Sequence, residues 1–467
     1  MPLWCEKASL CAMHVEAWLA RAAAARPHAT AIQTPEQSWD YARLYDAARF
    51  AAAQLAAQGV ATGESVGIDL PAGLDFAQAL HGCLLLGAVA VPIDPRLTGS
   101  ERAAIIAGCK LIVDAPLGEG RPTHGDGPVA QHDLDATAVV IHTSGTTSAP
   151  KPVHLSYGNV LWSALGSAAA LGCDPQDRWL CALPLSHVGG LSILLRSAIY
   201  ATTAVVHERF EVERVLRSLQ HEEITLVSLV ATTLARLLDA GLSDPLALRC
   251  ALTGGGPVPA ALVERAHRAG VPVGLTYGLS ETCSQVTTTP AAEIAVATAT
   301  GAATAGPPPS AGPPLFCTSV RIADDGEILV QGPTVAAASL ADDGWLHTGD
   351  IGTLDARGRL RVTGRKADTI ISGGENVAPA EVEAVIEAHP QVLEAAVLGR
   401  SDPQWGETVI ALVLARSGET LDVEDLRTHC AAALAPYKVP KQFLLAGGPL
   451  PRTRSGKLLR RELASDL

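Results

Sequence analysis

Four segments of the chain bring hydroxyls, glycines and charged groups together at spacings that suit phosphate and nucleotide chemistry. Thr143-Ser-Gly-Thr-Thr-Ser-Ala-Pro-Lys151 follows the apolar run Ala136 to His142. Hydroxyls and backbone N–H groups packed around a glycine form a nest for phosphate oxygens, and Lys151 adds a positive charge. The segment is not a Walker A loop: Pro150 and Pro152 occupy the places of the required glycine and hydroxyl, and proline has no N–H to offer. Thr276-Tyr-Gly-Leu-Ser-Glu-Thr282 follows the apolar Val271 to Leu275. There an aromatic ring, a glycine and a carboxylate at a strand end can flank a base and hold Mg²⁺ near its phosphates. Read alone, Glu281 is equally a solvated strand-end carboxylate. In Gly344-Trp-Leu-His-Thr-Gly-Asp350, Asp350 can accept hydrogen bonds from two ribose hydroxyls, or simply sit in a β-turn. In Pro451-Arg-Thr-Arg-Ser-Gly-Lys457, a lysine beside a glycine turn at a helix start can reach into a cleft as a mobile cation. The alternative is a solvated basic helix end. Gly254-Gly-Gly-Pro257 lacks the G-x-G-x-x-G spacing of a dinucleotide fold and is weak by itself.

These segments need strand ends to carry them. From Val66 onward, short apolar runs (Ser65 to Leu70, Ala88 to Ile93, Ala136 to His142, Thr202 to His207, Leu226 to Leu229, Pro272 to Thr276) alternate with amphipathic helices, which predicts α/β layers with largely parallel sheets. Residues 13–58 read as helical segments with a turn at Pro35 to Ser38, and residues 118–128 and 289–314 as loops. After Arg365 the rhythm changes. A helix is expected from Pro379, strands at Val392 to Leu398 and Thr408 to Ala415, a helix from Asp422 to Leu434, a strand at Gln442 to Leu445 and a short basic helix after Gly456. That is a compact α+β unit, with Gly364-Arg-Lys-Ala-Asp368 as its hinge.

Composition narrows the function. The chain has 467 residues, of which 48% are hydrophobic and 18% charged, which excludes a disordered chain and predicts two or more domains. Forty-eight acidic against 35 basic side chains give a net charge of −13, which argues against a general nucleic-acid binder. Binding a polyanion must then rely on local cations and backbone cradles. Ten cysteines without a C-x-x-C pair suggest separate reduced thiols. Charges near the N-terminus exclude a signal-peptide core, and no apolar run is long enough to span a membrane. A cytoplasmic protein is expected.

Taken in order, the four motifs resemble the acyl- and aryl-CoA synthetase superfamily of adenylate-forming enzymes, from Leu86-Gly-Ala-Val-Ala-Val-Pro92 to Lys457. The resemblance implies an α/β fold: a large N-terminal domain, residues 1–365, of layered α/β/α sheets plus a distorted β-barrel region, and a small mobile C-terminal α+β domain, residues 366–467. It implies ATP, Mg²⁺ and CoA as cofactor and co-substrates, and a carboxylate as the small-molecule partner. Thr143, Ser144, Gly145, Thr146, Thr147 and Lys151 would line the pyrophosphate loop. Gly254, Gly255, Gly256 and Tyr277 would surround adenine, with Gly278 and Thr282 in the same nucleotide-binding set. Glu281 would help to bind Mg²⁺, Asp350 and Arg365 would hold the ribose, and Lys457 would bridge the attacking carboxylate and the α-phosphate. In the second half-reaction the C-terminal domain would rotate, and Ser372-Gly-Gly-Glu-Asn376, with Gly374 at its centre, would face the pantetheine channel. Ser148 and Pro152 replace glycines common in the family, which should stiffen the phosphate loop, and Ala367 replaces a polar hinge residue.

The acyl site is less constrained. Leu183-Pro-Leu-Ser-His-Val-Gly-Gly-Leu-Ser-Ile-Leu-Leu-Arg196, Thr225 to Val230 and Glu281-Thr-Cys-Ser-Gln285 look most like the o-succinylbenzoate–CoA ligases of menaquinone biosynthesis. That resemblance implies a dicarboxylate, whose spared acid needs a fixed counter-charge. His187 and Arg196 are the candidates, with Ser280 also on the substrate side. His187 is otherwise a general gate residue of the superfamily, and Arg196 a surface or helix-end arginine. The alternatives are another aryl- or medium-chain acyl-CoA ligase and, from a different class, a catalytically silent acyl-adenylate binder. Glu281, Asp350 and Lys457 argue against the silent form. A carrier-loading adenylation domain is disfavoured, because ten residues follow Lys457. The sequence leaves assembly open, with a homodimer as one option.

Overall fold

The computed structural model describes residues 13–120, 129–143, 151–300, 309–372, 375–403, 405–416, 418–419, 421–452 and 458–465. Two mostly parallel sheets make up most of the N-terminal part. One runs in the order Leu111–Val113, Ser65–Ile68, Val89–Pro92, Thr137–Thr143 and Lys151–Ser156, with only the last strand antiparallel. The other has six central parallel strands, in the order Val273–Tyr277, Cys250–Thr253, Leu226–Leu229, Arg178–Cys181, Thr203–Val206 and Thr30–Gln33. Thr287–Thr288 and Ser38–Asp40 flank it antiparallel. The central strands are apolar on both faces, as at Val89–Pro92, Thr203–Val206 and Cys250–Thr253 where every residue is buried, so helices must cover both sides. Helices Tyr41–Ala57 and Leu74–Leu86 do so by approaching backbone to backbone: a Cβ on Gly82 would stand 2.7 Å from that of Ala51.

The chain then forms an antiparallel four-stranded sheet, Ser319–Ile322, Glu327–Gln331, Leu346–Leu354 and Leu360–Arg365, around Val286, Ile328, Val330 and Leu346. This sheet supplies the barrel region. One 3₁₀ turn, Lys366–Asp368, leads into the C-terminal unit. There Glu375–Val377, Ile370–Ser372, Gly406–Ala415 and Val392–Asp402 pair in that order, and Gln442–Leu445 adds in parallel to Gly406–Ala415. Helices Pro379–Glu387 and Val423–Ala433 close a separate core that includes Val382, Ile386, Val397, Val413, Leu426 and Phe443. These elements match the expectations for the segment after Arg365.

Two expectations fail. Residues 13–58 are not helical throughout, because Thr30–Gln33 and Ser38–Asp40 form a hairpin around Pro35. Those strands have only four and three residues, too short to show a period between alanine-rich helices. Within 289–314, Ala291–Thr300 is a helix anchored by Ile294, which is fully buried. The low charge of that segment suggested a loop, yet alanine is the best helix former and Pro290 sits just before the start. Among the described residues all eight cysteines are free thiols, and no helix is long and apolar enough to cross a membrane.

Buried titratable groups give the two parts opposite pH responses. Burial pushes both His81 and His132 down to about 4, and His132 stacks on Tyr157 with centroids 4.2 Å apart. A histidine lowered from 6.5 contributes stability that is complete above 6.5 and is lost as pH falls towards 4. In the C-terminal unit, burial pushes the Glu387 carboxyl up from 4.5 to about 7, so its contribution is present below 4.5 and lost as pH rises through 7. Lowering pH from about 7 to about 5 should weaken hydrogen-exchange protection around His81 and His132 and strengthen it around Glu387. A shift of the same sign in both regions would contradict this.

Candidate active site

Ligands of parallel sheets bind beyond the carboxyl ends of the strands, and Thr143, Gly254 and Tyr277 lie at such ends, whereas Asp350 and Arg365 belong to the antiparallel sheet. Thr143 ends one strand and Lys151 begins its antiparallel neighbour; the two are cross-strand partners, with the Thr143 hydroxyl 3.4 Å from the Lys151 carbonyl. Ser144, Gly145, Thr146 and Thr147 lie outside the described residues, as do Ser148, Gly374 and Lys457. Pro152 belongs to an edge strand opposite His142 rather than to the loop, so the stiffening expected of it inside the loop does not arise.

The neighbouring sheet places its own turns. Gly254 follows Cys250–Thr253, and a Cβ there would stand 2.7 Å from the Thr276 carbonyl oxygen. Gly255 has φ of +77°, a conformation suited to glycine, while Gly256 meets nothing nearby. After Val273–Tyr277, Gly278 packs directly under the Ser284 carbonyl, where any Cβ would clash. The 3₁₀ turn Ser280–Thr282 follows. Thr282 is fully buried, and its hydroxyl is used within the turn, 3.0 Å from both the N–H and the carbonyl oxygen of Leu279. Its hydroxyl thereby shapes the turn. Ser280 and Glu281 are half-buried on that turn, and among the described residues the Glu281 side chain makes no hydrogen bond or ion pair.

Three of the expected residues meet directly. The Tyr277 hydroxyl donates to Asp350 Oδ2 at 2.8 Å, and Arg365 Nε pairs with Asp350 Oδ1 at 2.7 Å. Asp350 and Arg365 are cross-strand partners in the antiparallel sheet, so register fixes the pair. Burial and the Asp350 charge push the Tyr277 phenol up, and it stays a donor.

On the acyl side, His187 caps the helix Val188–Tyr200, whose start is held tight by Gly190 against the Pro184 carbonyl. Its Nε2 lies 3.4 Å from Arg96 Nη2 and 3.8 Å from Asp94 Oδ2. Asp94 also accepts from Arg96 Nε and Nη2 at 2.8 and 2.6 Å and from the Ser186 hydroxyl at 3.1 Å. Burial opposes its ionisation, but the Arg96 and Ser186 bonds outweigh that and hold the carboxyl at about 2. Arg196 is neither on the surface nor at a helix end. It is 2% exposed, bonds the Ser163 hydroxyl at 3.0 Å and lies over the Trp179 ring at 5.6 Å. Ser163 in turn donates to the Cys283 carbonyl at 2.6 Å, which ties Arg196 to the Glu281 turn. Burial lowers the Arg196 pKa, and no carboxylate faces it among the described residues. It borders a cavity of about 10 Å³, room for one water, with Ser163, Ser192 and Cys283. Sequence reasoning missed Asp94, Arg96 and Ser163. For the first two a signal existed, since they follow Val89–Pro92, the parallel neighbour of the strand that ends at Thr143.

The Tyr277 turn beyond one parallel sheet thus meets the Asp350 carboxylate of the antiparallel sheet, an arrangement suited to a ribose. The family model of AMP-binding enzymes matches residues 19–124 and 110–338, and that of the AMP-binding enzyme C-terminal domain matches residues 381–457. The chain belongs to the AMP-binding enzyme family. A 2-succinylbenzoate–CoA ligase of Bacillus subtilis (strain 168) is 38% identical to it over 483 residues, spanning 96% of this chain and 97% of its own. The structure of o-succinylbenzoate CoA synthetase (MenE) from Bacillus subtilis with the acyl-adenylate intermediate OSB-AMP superposes with a TM-score of 0.85, at 37% identity over 97% of this chain and 98% of that one. The same enzyme with ATP and magnesium ion gives 0.85, at 36% identity over 97% and 100% of the two chains.

The Gly278 contact gives a direct test of the turn. Gly278→Ala must push Ser284 away from its place, so adenylation should fall by at least roughly tenfold, with a lower melting temperature. Unchanged activity and melting would show that the turn does not depend on this approach.

Proposed function

We propose that this chain is an AMP-forming acid–thiol ligase that joins o-succinylbenzoate to CoA, with its residues acting as follows. A carboxylate oxygen of the acid attacks the α-phosphorus of ATP, the bond to the bridging oxygen breaks, and pyrophosphate leaves. The sulfur of CoA, its proton lost, then attacks the acyl carbon, and AMP leaves with the electron pair of the acyl–oxygen bond. No protein nucleophile is needed. The work lies in holding anions together against repulsion.

Tyr277, Asp350 and Arg365 hold the ribose: Asp350 accepts from its hydroxyls while Tyr277 and Arg365 keep the carboxylate in place. Gly254, Gly255 and Gly256 keep the adenine side free of side chains. Thr143 and Lys151 begin and end the pyrophosphate loop, and Lys457 spans the attacking oxygen and the α-phosphate. Glu281 fits a magnesium site, since its half-buried carboxylate stands on the turn without an ion-pair partner among the described residues. The metal, when bound with ATP, supplies charge neutralisation at the phosphates. The body is read as residues 1–365 and the cap as 366–467, turning about Arg365 to Asp368; the separate C-terminal core supports that division.

The observation that carries the choice of acid is Arg196. A buried guanidinium with only a hydroxyl and an aromatic face for side-chain partners among the described residues is strongly predisposed to take a carboxylate. That matches a substrate with a second acid to hold, with His187 at the start of the same helix beside Asp94 and Arg96. The cavity at Arg196 is too small for the group as it stands, so substrate entry widens it by moving the start of helix Val188–Tyr200 or the Cys283 turn.

ATP–pyrophosphate exchange over a panel of carboxylic acids tests this reading. The native chain should exchange with o-succinylbenzoate and weakly with benzoate or a fatty acid. Arg196→Met should raise the KM for o-succinylbenzoate roughly thirtyfold while leaving monocarboxylates little changed. Preference of the native chain for a monocarboxylate, or an equal loss on both classes, would contradict it.

A further inference from the structure

On the side of Glu327–Gln331, Asp350 does not lie in a regular ladder. Between the pairs Glu327↔Ile351 and Leu329↔His347, the strand Leu346–Leu354 has three residues, Thr348, Gly349 and Asp350, where its neighbour has only Ile328. Such a bulge re-aims a side chain but leaves backbone donors without ladder partners. Two side chains take up the donors. The Thr348 hydroxyl accepts from the Asp350 N–H at 3.1 Å and donates to the Ile328 carbonyl at 2.7 Å. Glu327 Oε1 accepts from the Gly349 N–H at 2.9 Å. Gly349 has φ of +71°, so the bulge relies on a left-handed residue directly before Asp350.

The second oxygen of Glu327 is held by the residue next to Arg365. Lys366 Nζ lies 3.0 Å from Glu327 Oε2 and 2.6 Å from Asp325 Oδ2, and Lys366 directly follows Arg365. His347 Nδ1 approaches the same carboxylate at 3.5 Å. Glu327 is 6% exposed, so it is a nearly buried carboxylate whose contacts adjoin both members of the Asp350–Arg365 pair. Its side chain touches neither of the two.

We propose that Glu327 is a positioning residue for nucleotide binding: it holds the bulge that aims Asp350 and, through Lys366, the strand end that presents Arg365. The proposal rests on the reading that Asp350 and Arg365 hold the ribose. Without the carboxylate, the Gly349 N–H is left unpaired in a half-buried place, and the bulge relaxes towards a regular register that turns Asp350 away from the nucleotide.

The test uses the full-length protein and compares ATP with 2′,3′-dideoxy-ATP in the pyrophosphate exchange assay. Glu327→Ala should raise the KM for ATP roughly tenfold and leave the KM for the dideoxy analogue nearly unchanged, because the lost contacts are those to the hydroxyls. Asp350→Ala, run in parallel, should show the same selective loss. Glu327→Gln keeps an acceptor oxygen for the Gly349 N–H and should recover most of the discrimination; it also provides a variant if the alanine form folds poorly. Equal losses on ATP and the dideoxy analogue in both Glu327 variants would reduce Glu327 to a general structural role and overturn the proposal. If Asp350→Ala lost both nucleotides equally, the ribose reading itself would fall, and the proposal with it.

Discussion

Bringing a carboxylate to a polyanion inside a chain of net charge −13 is the constraint on which the arrangement depends. The overall field repels each substrate, so attraction must come from cations placed within a few ångströms and from backbone dipoles. Parallel sheets provide this economically. Their strands end on one side, so turns from distant parts of the sequence converge there without long connections. Arg96, Lys151 and the Thr143 strand end share one sheet, while Tyr277 and the Gly254 turn share the other.

The cations are not left bare. Arg96 is gripped by Asp94, Arg365 by Asp350, and Lys366 by Asp325 and Glu327. Each pairing fixes a geometry and limits the penalty of an unmatched charge in a partly buried place. Arg196 is the exception among these: it is the most deeply buried of them and faces a hydroxyl and a ring instead of an acid. Among the described residues no carboxylate faces it, and the proposed substrate acid would supply one. The junction of the two parts follows the same logic. Lys366 is tied to the body, and Asp368 reaches Arg460 of the C-terminal unit at 3.4 Å, which leaves Ala367 between them with a side chain that forms no ion pair. Ala367, the expected hinge position, is thus flanked by two ion-paired residues.

Much of this was legible in the sequence, for a physical reason. Strand-to-turn transitions carry local signals, since an apolar run followed by glycine and hydroxyls is a short-range pattern. The strand end at Thr143, the Gly254 turn and the Tyr277 strand end could all be placed that way, as could the helices and the longer strands after Arg365. What was not legible depends on register or on contacts across long stretches of chain. The bulge at Thr348 to Asp350 arises from pairing with Ile328, and no local motif announces it. Glu327 reads as an ordinary polar residue opening a strand. The burial of Arg196 was equally hidden, because its helix packs nearly all of its faces and an arginine there looks like a helix end. The use of the Thr282 hydroxyl within its own turn was likewise hidden.

The central claim is that one lysine cancels charge for adenylation and is not needed when the thiol arrives. Measuring the two half-reactions separately on Lys457→Ala tests it most directly. The account predicts that formation of the acyl-adenylate falls roughly a hundredfold or more, while capture of a supplied acyl-adenylate by CoA proceeds at close to the native rate. Equal loss of both half-reactions, or full adenylation without the lysine, would contradict it.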